Sequence, residues 1–304
     1  MISPGRLSVI LCAHNPRTDH LRQTLAALHA QRLPLADWEL LLVDNASAEP
    51  LAARFPLDWH PHARHLVEPR LGLTPARLAG IAAATADVLV FVDDDNLLAP
   101  DYLTHVLTIA REFPFLGAWG GCVSARFEQE PPDWARPYLP LLAVRDIKCD
   151  QWSNRTDNLD TVPCGAGLCA RRAVAERYRT TAGKSPLRLA LGRTGASLSS
   201  GEDTDLALTA CDLGLGTGVF ARLQLMHLIP AGRLDPGYLT KLAEGIMRSY
   251  VLVMSLRQPV SRPQPSRAGR LFSAYRRMRL PAHVRAMEDA LERGRQAAYD
   301  LLGL

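Results

Sequence analysis

Three adjacent carboxylates, Asp93-Asp94-Asp95, follow directly on the apolar run Val88-Leu89-Val90-Phe91-Val92. Charges this close repel one another unless a cation sits among them. Hard divalent ions such as Mg²⁺ or Mn²⁺ take oxygen ligands and often share their shell with a substrate phosphate. A polar turn with an aspartate helix cap would use the same residues and bind nothing. A second acidic group, Gly201-Glu202-Asp203-Thr204-Asp205, opens a helical pattern over residues 206–213. Acids at a helix start favour its dipole; the sharper reading puts one of these carboxylates in a cleft as a general base. His227 lies just beyond a strand pattern near residues 221–226, where it is either a metal ligand or a packed polar residue.

The elements that must position these groups alternate between strand and helix. Residues 88–92 read as a strand buried on both faces, so the three aspartates stand at its carboxyl end, where open α/β sheets place their ligands. Leu7-Ser8-Val9-Ile10-Leu11-Cys12-Ala13 is a first strand, followed by the turn-forming His14-Asn15-Pro16. Thr18 or Asp19 is placed to cap a helix with Leu21, Leu25 and Leu28 on one face. A second strand, residues 38–43, ends in Asp44, whose carboxylate can accept from the N–H and hydroxyl donors of a nucleotide's base or ribose or cap a short turn. Residues 65–68 form a short third strand, and Thr74-Pro75 opens a helix to about Ala84. Arg70 or Arg77 can reach a diphosphate as a charge-assisted donor, or lie solvated on the surface. A helix over 100–112 and a strand over 116–123 follow, and Gly120-Gly121 permits close backbone approach.

Residues 127–162 lose periodicity. A long irregular segment of this kind, with Trp134 and Trp152 in it and Trp119 in the strand before it, reads as a loop whose aromatic faces can stack on an acceptor sugar, or as plain packing. Gly165 and Gly167 lie in a small-residue bend where a ligand can rest on main-chain amides, or in a tight turn with no ligand. Residues 237–256 and 283–302 are helical. Between them, Arg262, Arg267, Arg270, Arg276, Arg277, Arg279 and Arg285 alternate with Leu271, Phe272, Tyr275, Met278 and Leu280. Such a basic amphipathic pattern fits an anionic membrane surface as well as it fits packing on the body. Residues 1–235 are thus expected to form a catalytic domain, and residues 236–304 a helical region that contacts a membrane surface or a second copy in a homodimer.

Composition narrows the classes. At 304 residues with 47% hydrophobic and 22% charged residues, the chain is an ordinary globular one. A net charge of +4 does not argue for nucleic acid, and no apolar run approaches the roughly 20 residues that cross a bilayer. Met1-Ile2-Ser3-Pro4-Gly5-Arg6 lacks signal-peptide architecture, and the six cysteines show no CxxC pairing. Free thiols in a reducing cytoplasm are therefore expected, with peripheral attachment at the inner face of the membrane as the variant.

Taken together, Leu7-Ser8-Val9-Ile10-Leu11, Leu42-Val43-Asp44-Asn45-Ala46-Ser47, Phe91-Val92-Asp93-Asp94-Asp95-Asn96 and Gly201-Glu202-Asp203 resemble the family 2 glycosyltransferases of the GT-A fold, over about residues 7–230. The resemblance implies an α/β, Rossmann-like, mostly parallel sheet flanked by helices, with a C-terminal helical extension. It implies an inverting transfer from a UDP- or GDP-type nucleoside-diphosphate sugar to a glycan or lipid-linked acceptor hydroxyl, as in bacterial polysaccharide biosynthesis. Asp44, with Ala13 and Asn15, would hold the nucleoside, although the family's usual Pro-Thr-Tyr-Asn is Cys12-Ala13-His14-Asn15 here. Asp93-Asp94-Asp95 looks like its D-x-D motif, with Asp95 on Mn²⁺ or Mg²⁺ and Asp93 or Asp94 on ribose or metal. Asp203 matches the catalytic base, with Glu202 beside it, and His227 the downstream metal ligand. The absence of Q-x-x-R-W argues against a processive synthase. A nucleotidyltransferase, which would carry a glycine-rich basic loop after the first strand, and a non-catalytic nucleotide-sugar-binding protein are the other classes weighed.

Overall fold

A computed structural model describes residues 7–195, 197–264 and 266–304. The sequence reading of residues 1–6 therefore lies outside the described residues, and so do the side chains of Arg267, Arg270 and Leu271. The elements run β1 (Leu7–Ala13), α1 (Thr18–His29), β2 (Trp38–Asp44), α2 (Leu51–Arg54), β3 (Ala63–Val67), α3 (Leu73–Ala83), β4 (Val88–Asp93), β5 (Asn96–Leu98), α4 (Tyr102–Glu112) and β6 (Leu116–Phe127). There follow β7 (Gln151–Ser153), β8 (Cys169–Arg171), α5 (Arg172–Ala182), α6 (Pro186–Leu189), α7 (Glu202–Asp212), β9 (Gly216–Ile229), α8 (Pro236–Ser255), α9 (Arg267–Met278) and α10 (Ala282–Leu301).

Strand periodicity sorts the core. Leu7, Val9 and Leu11 of β1, Leu40 and Leu42 of β2, and Val88, Val90 and Val92 of β4 pack into one apolar cluster with α1 and α4. The alternate residues, Ile10, Leu41, Val43, Leu89 and Phe91, enter another with α3, α5, α7 and the C-terminal half of α8. A sheet with helices on both faces needs apolar residues at successive positions, which is why these strands read as continuous hydrophobic runs.

The strand order is β3-β2-β1-β4-β8-β6-β9-β5, with β7 also paired to β9. The expected parallel arrangement holds for β3, β2, β1 and β4. Beyond β4 the sheet is mixed: β8 is inserted antiparallel between β4 and β6, while β6 and β9 run parallel. At Gly121 the β6–β9 register shifts, and a Cβ there would lie 2.1 Å from the Leu223 carbonyl oxygen. The close approach expected at this glycine thus goes with an irregularity of β9. Its distal half then pairs with β5, setting Asn96 opposite His227.

Thr18 and Asp19 lie inside α1, whose cap position is Arg17, so neither caps that helix. The C-terminal helices join the body: α8 and α10 share a third cluster with Leu142 and Ile229. In the basic segment Arg276 pairs with Glu288 and Arg277 with Asp289, both acids lying on α10, while Phe272 and Met278 of α9 are exposed. Among the described residues no helix is long and apolar enough to cross a membrane, and all six cysteines are free.

Candidate active site

The carboxyl ends of β1 and β4, the start of α7 and the end of β9 surround a cleft of about 560 Å³. The residues lining it include Ala13, Asp93, Asp94, Asp95, Gly165, Glu202, Asp203 and His227, all singled out from the sequence.

The Asp94–Asp95 turn is held from two sides. Thr24 of α1 donates to the Asp94 carbonyl (3.1 Å), and the Leu228 amide of β9 donates to that of Asp95 (2.9 Å). The β5–β9 register thereby carries His227 to Asp95, whose Oδ2 lies 3.3 Å from His227 Nε2. His227 Nδ1 is 3.0 Å from the Leu142 carbonyl oxygen, which can only accept, so this nitrogen carries a proton, and in the neutral ring Nε2 is left with its lone pair. Arg233, which the sequence reading passed over, donates to Asp95 Oδ2 (3.1 Å) and faces Nε2 at the same distance. Its only signal is an arginine between Pro230 and Pro236, just after the histidine.

At the other pole α7 begins on Gly201 with no side-chain cap. Asp203 instead turns into the cleft and accepts from the Gly165 amide (2.7 Å) and the Thr204 amide (2.8 Å), which fix its plane. Arg77 joins the two poles. Only 2% exposed, it donates to Asp93 (3.3 Å) and to Glu202 Oε1 (3.2 Å) and lies over the Phe91 ring.

The cleft is over-supplied with negative charge, holding five carboxylates against the guanidiniums of Arg77, Arg193 and Arg233. Burial, then the charges of Asp95 and Asp93, push Asp94 well above the usual carboxylate range. Burial and the charge of Asp203, opposed by Arg77, push Glu202 up to about 7 from an ordinary 4.5. Its Oε2 has no hydrogen-bond partner among the described residues. An acid raised in the folded state keeps its proton there while the unfolded chain loses it, so its stabilising share falls as pH rises from 4.5 to 7 and stays lost above. Glu202→Gln is therefore expected to remove roughly 3 kcal/mol of the fall in stability between pH 5 and pH 8. Urea unfolding at the two pH values checks this; an unchanged fall would show that Glu202 is not the group that titrates. Burial pushes the cleft thiols Cys12 and Cys164 up to about 12 and about 11, which keeps both protonated.

Several singled-out residues lie elsewhere. Both oxygens of Asp44 accept backbone N–H groups, from Ser47 (3.0 Å) and Leu51 (2.9 Å), and the neighbouring Asn45 faces the cleft instead, tying Glu68, Arg70 and Gly72 together. Asn15 accepts from Ala48 (2.9 Å), and Arg70, itself exposed, pairs with the buried Glu68. Gly167 is a packing residue: its φ is +71° and a Cβ would meet the Tyr102 hydroxyl at 2.4 Å. Trp119 cannot stack on an acceptor, because it is fully buried in a strand covered on both faces. Trp152 is half exposed but packs on Phe113 and Phe115, away from the cleft lining.

Two protein donors, Asp95 Oδ2 and His227 Nε2, converge where a cation would sit. Their separation is close to the ~3 Å between adjacent positions of an octahedral shell with ligands at about 2.1 Å. Leu142 orients the imidazole as an outer-shell partner of a metal-bound histidine would. Among the described residues no cluster of three or more His, Cys, Asp or Glu is built to hold a metal. The pair thus suits an ion that completes its shell with phosphate and water, as Mg²⁺ does.

Comparison with known proteins places the chain. The family model described as "Glycosyl transferase family 2" matches residues 8–178. The succinoglycan biosynthesis protein ExoM of Rhizobium meliloti (strain 1021) is 28% identical over 247 residues, covering 74% of this chain and 68% of its own length. Among solved structures, S. aureus TarS 1-349 in complex with UDP-GlcNAc has a TM-score of 0.56 at 12% identity, over 97% of this chain and 74% of that one. The same protein in complex with UDP has a TM-score of 0.52 at 14% identity, over 97% and 75%. At such identities the structural likeness carries the fold alone.

Proposed function

Because the chain belongs to glycosyl transferase family 2 and is a glycosyltransferase, we propose that it moves a sugar from a nucleoside-diphosphate sugar to an acceptor hydroxyl with inversion. Asp203 is the base, and Asp95 and His227 hold a divalent ion, Mn²⁺ or Mg²⁺. The observation that supports this most directly is the convergence of Asp95, His227 and Asp203 on one cleft from elements far apart in the chain. The UDP and UDP-GlcNAc in the TarS complexes favour a UDP-sugar donor, and the succinoglycan role of the ExoM relative favours a saccharide acceptor in polysaccharide assembly.

Asp95 and His227 would hold the ion, which would supply Lewis-acid stabilisation of charge on the diphosphate leaving group. Asp203 takes the proton of the acceptor hydroxyl as that oxygen bonds to the anomeric carbon. The bond from this carbon to the diphosphate breaks on the opposite face, and the nucleoside diphosphate leaves with the electron pair. Arg193 lines the cleft with no side-chain partner among the described residues and is free to meet the phosphates. The walls of Ala13, Asn45 and Gly165 orient the donor.

A panel of nucleotide sugars, scored for thermal stabilisation with and without Mn²⁺ and then for slow donor hydrolysis, tests the reading. Asp95→Asn is expected to abolish the Mn²⁺-dependent part of UDP binding, measured by calorimetry. UDP affinity that is the same with and without Mn²⁺ in the parent chain would remove the metal.

A further inference from the structure

We infer that Arg233 is a resident counter-cation for the Asp95–His227 pair. Its guanidinium competes with a divalent ion for the same two lone pairs and transfers to the donor's diphosphate when the ion binds. The inference rests on the metal reading above.

The geometry is that of an occupied cation seat. Arg233 places Nη2 3.1 Å from Asp95 Oδ2 and Nη1 3.1 Å from His227 Nε2. Guanidinium nitrogens only donate, so both atoms offer it the lone pairs that a metal would take. The two cations cannot share this seat, since like charges a few ångströms apart in a partly buried site repel strongly. Burying Asp95 without a cation is costly as well, so the arginine keeps the empty pocket stable at the expense of affinity for the ion.

Arg233 is also able to leave. Its side chain is 26% exposed, whereas that of Asp95 is 9%. The backbone around it is fixed independently: the Ala231 amide donates to Glu128, and Asp235 caps α8 by accepting from the Tyr238 amide. Among the described residues the arginine side chain gives up only its bonds to Asp95 and His227, and a diphosphate entering beside the ion offers new oxygens to its fork. Ion and nucleotide must then favour each other, because each removes a cost the other would meet alone. Couplings of this sort typically amount to about 5–150-fold.

The test is Mn²⁺ binding to the full chain, followed by the electron paramagnetic resonance signal of free Mn²⁺, with no UDP and with saturating UDP. Arg233→Ala is expected to bind Mn²⁺ about tenfold more tightly without UDP and to show a similarly smaller enhancement by UDP. Arg233→Lys, a point cation that cannot fork across both atoms, should fall between the two and guards against a misfolded alanine variant. Mn²⁺ affinity without UDP that is unchanged or weaker in both variants overturns the inference while leaving the metal site in place. Mn²⁺ bound by neither parent nor variants, even with UDP, overturns the inference and the metal reading together.

Discussion

Asp203→Asn is expected to lower kcat by roughly 10²–10⁴-fold, the usual contribution of a positioned general base, while leaving UDP affinity within about twofold. The kinetic effect arises because the amide cannot take the acceptor's proton. Binding survives because Asp203 is fixed by the Gly165 and Thr204 amides and makes no ion pair with Arg77. An asparagine keeps its carbonyl oxygen for one of those amides and turns its NH₂ toward the other, which costs about 1–3 kcal/mol of stability. Melting and UDP titration must accompany the kinetics for that reason. Glu202→Gln is the control: it removes the neighbouring carboxylate, which faces Arg77, and should cost far less in kcat than Asp203→Asn. An Asp203→Asn enzyme at parental turnover would show that the proton goes elsewhere, and the reverse ranking would move the base to Glu202.

These roles were unequally legible in the sequence. Acids that follow a continuous apolar strand declare themselves, because the strand cannot carry charge into a core and must end there; Asp93, Asp94 and Asp95 were visible on that ground. For His227 the residues leave metal ligand and packed polar residue both open and only the resemblance chooses, since its meeting with Asp95 depends on an irregularity in the β6–β9 register and on a three-residue strand, β5, too short to show a period. Arg233 and Arg193 give little local signal, because they lie in short segments outside the long helices and strands and act through neighbours that only the fold supplies. Trp119 misled for the opposite reason: aromatic residues in strands serve packing and stacking alike, and only the helices that cover both faces of β6 decide between them. Strand β8 is not legible in the sequence, because three residues are too few to show an alternation.

Arg77→Met should be the most damaging change to stability, at about 3–5 kcal/mol, because it strands buried charge. Arg77 is 2% exposed and faces Asp93 and Glu202, with Asp203 adding to the field that keeps its guanidinium charged. Methionine fills the space over Phe91 but leaves these carboxylates in a low-dielectric cleft with no counter-charge on that side. The loss should be smaller at pH 5 than at pH 8, since Glu202, already pushed up to about 7, is then protonated and no longer needs a cation. Adding Glu202→Gln to Arg77→Met should recover part of the loss at pH 8 and little at pH 5, a pattern that a simple packing defect would not produce. Arg77→Lys should rescue poorly, because an ammonium cannot span both acids as a planar fork does. If denaturant unfolding shows Arg77→Met within about 1 kcal/mol of the parent at pH 8, the strand-end acids and the α7 acids are independent, and Arg77 does not join them into one site.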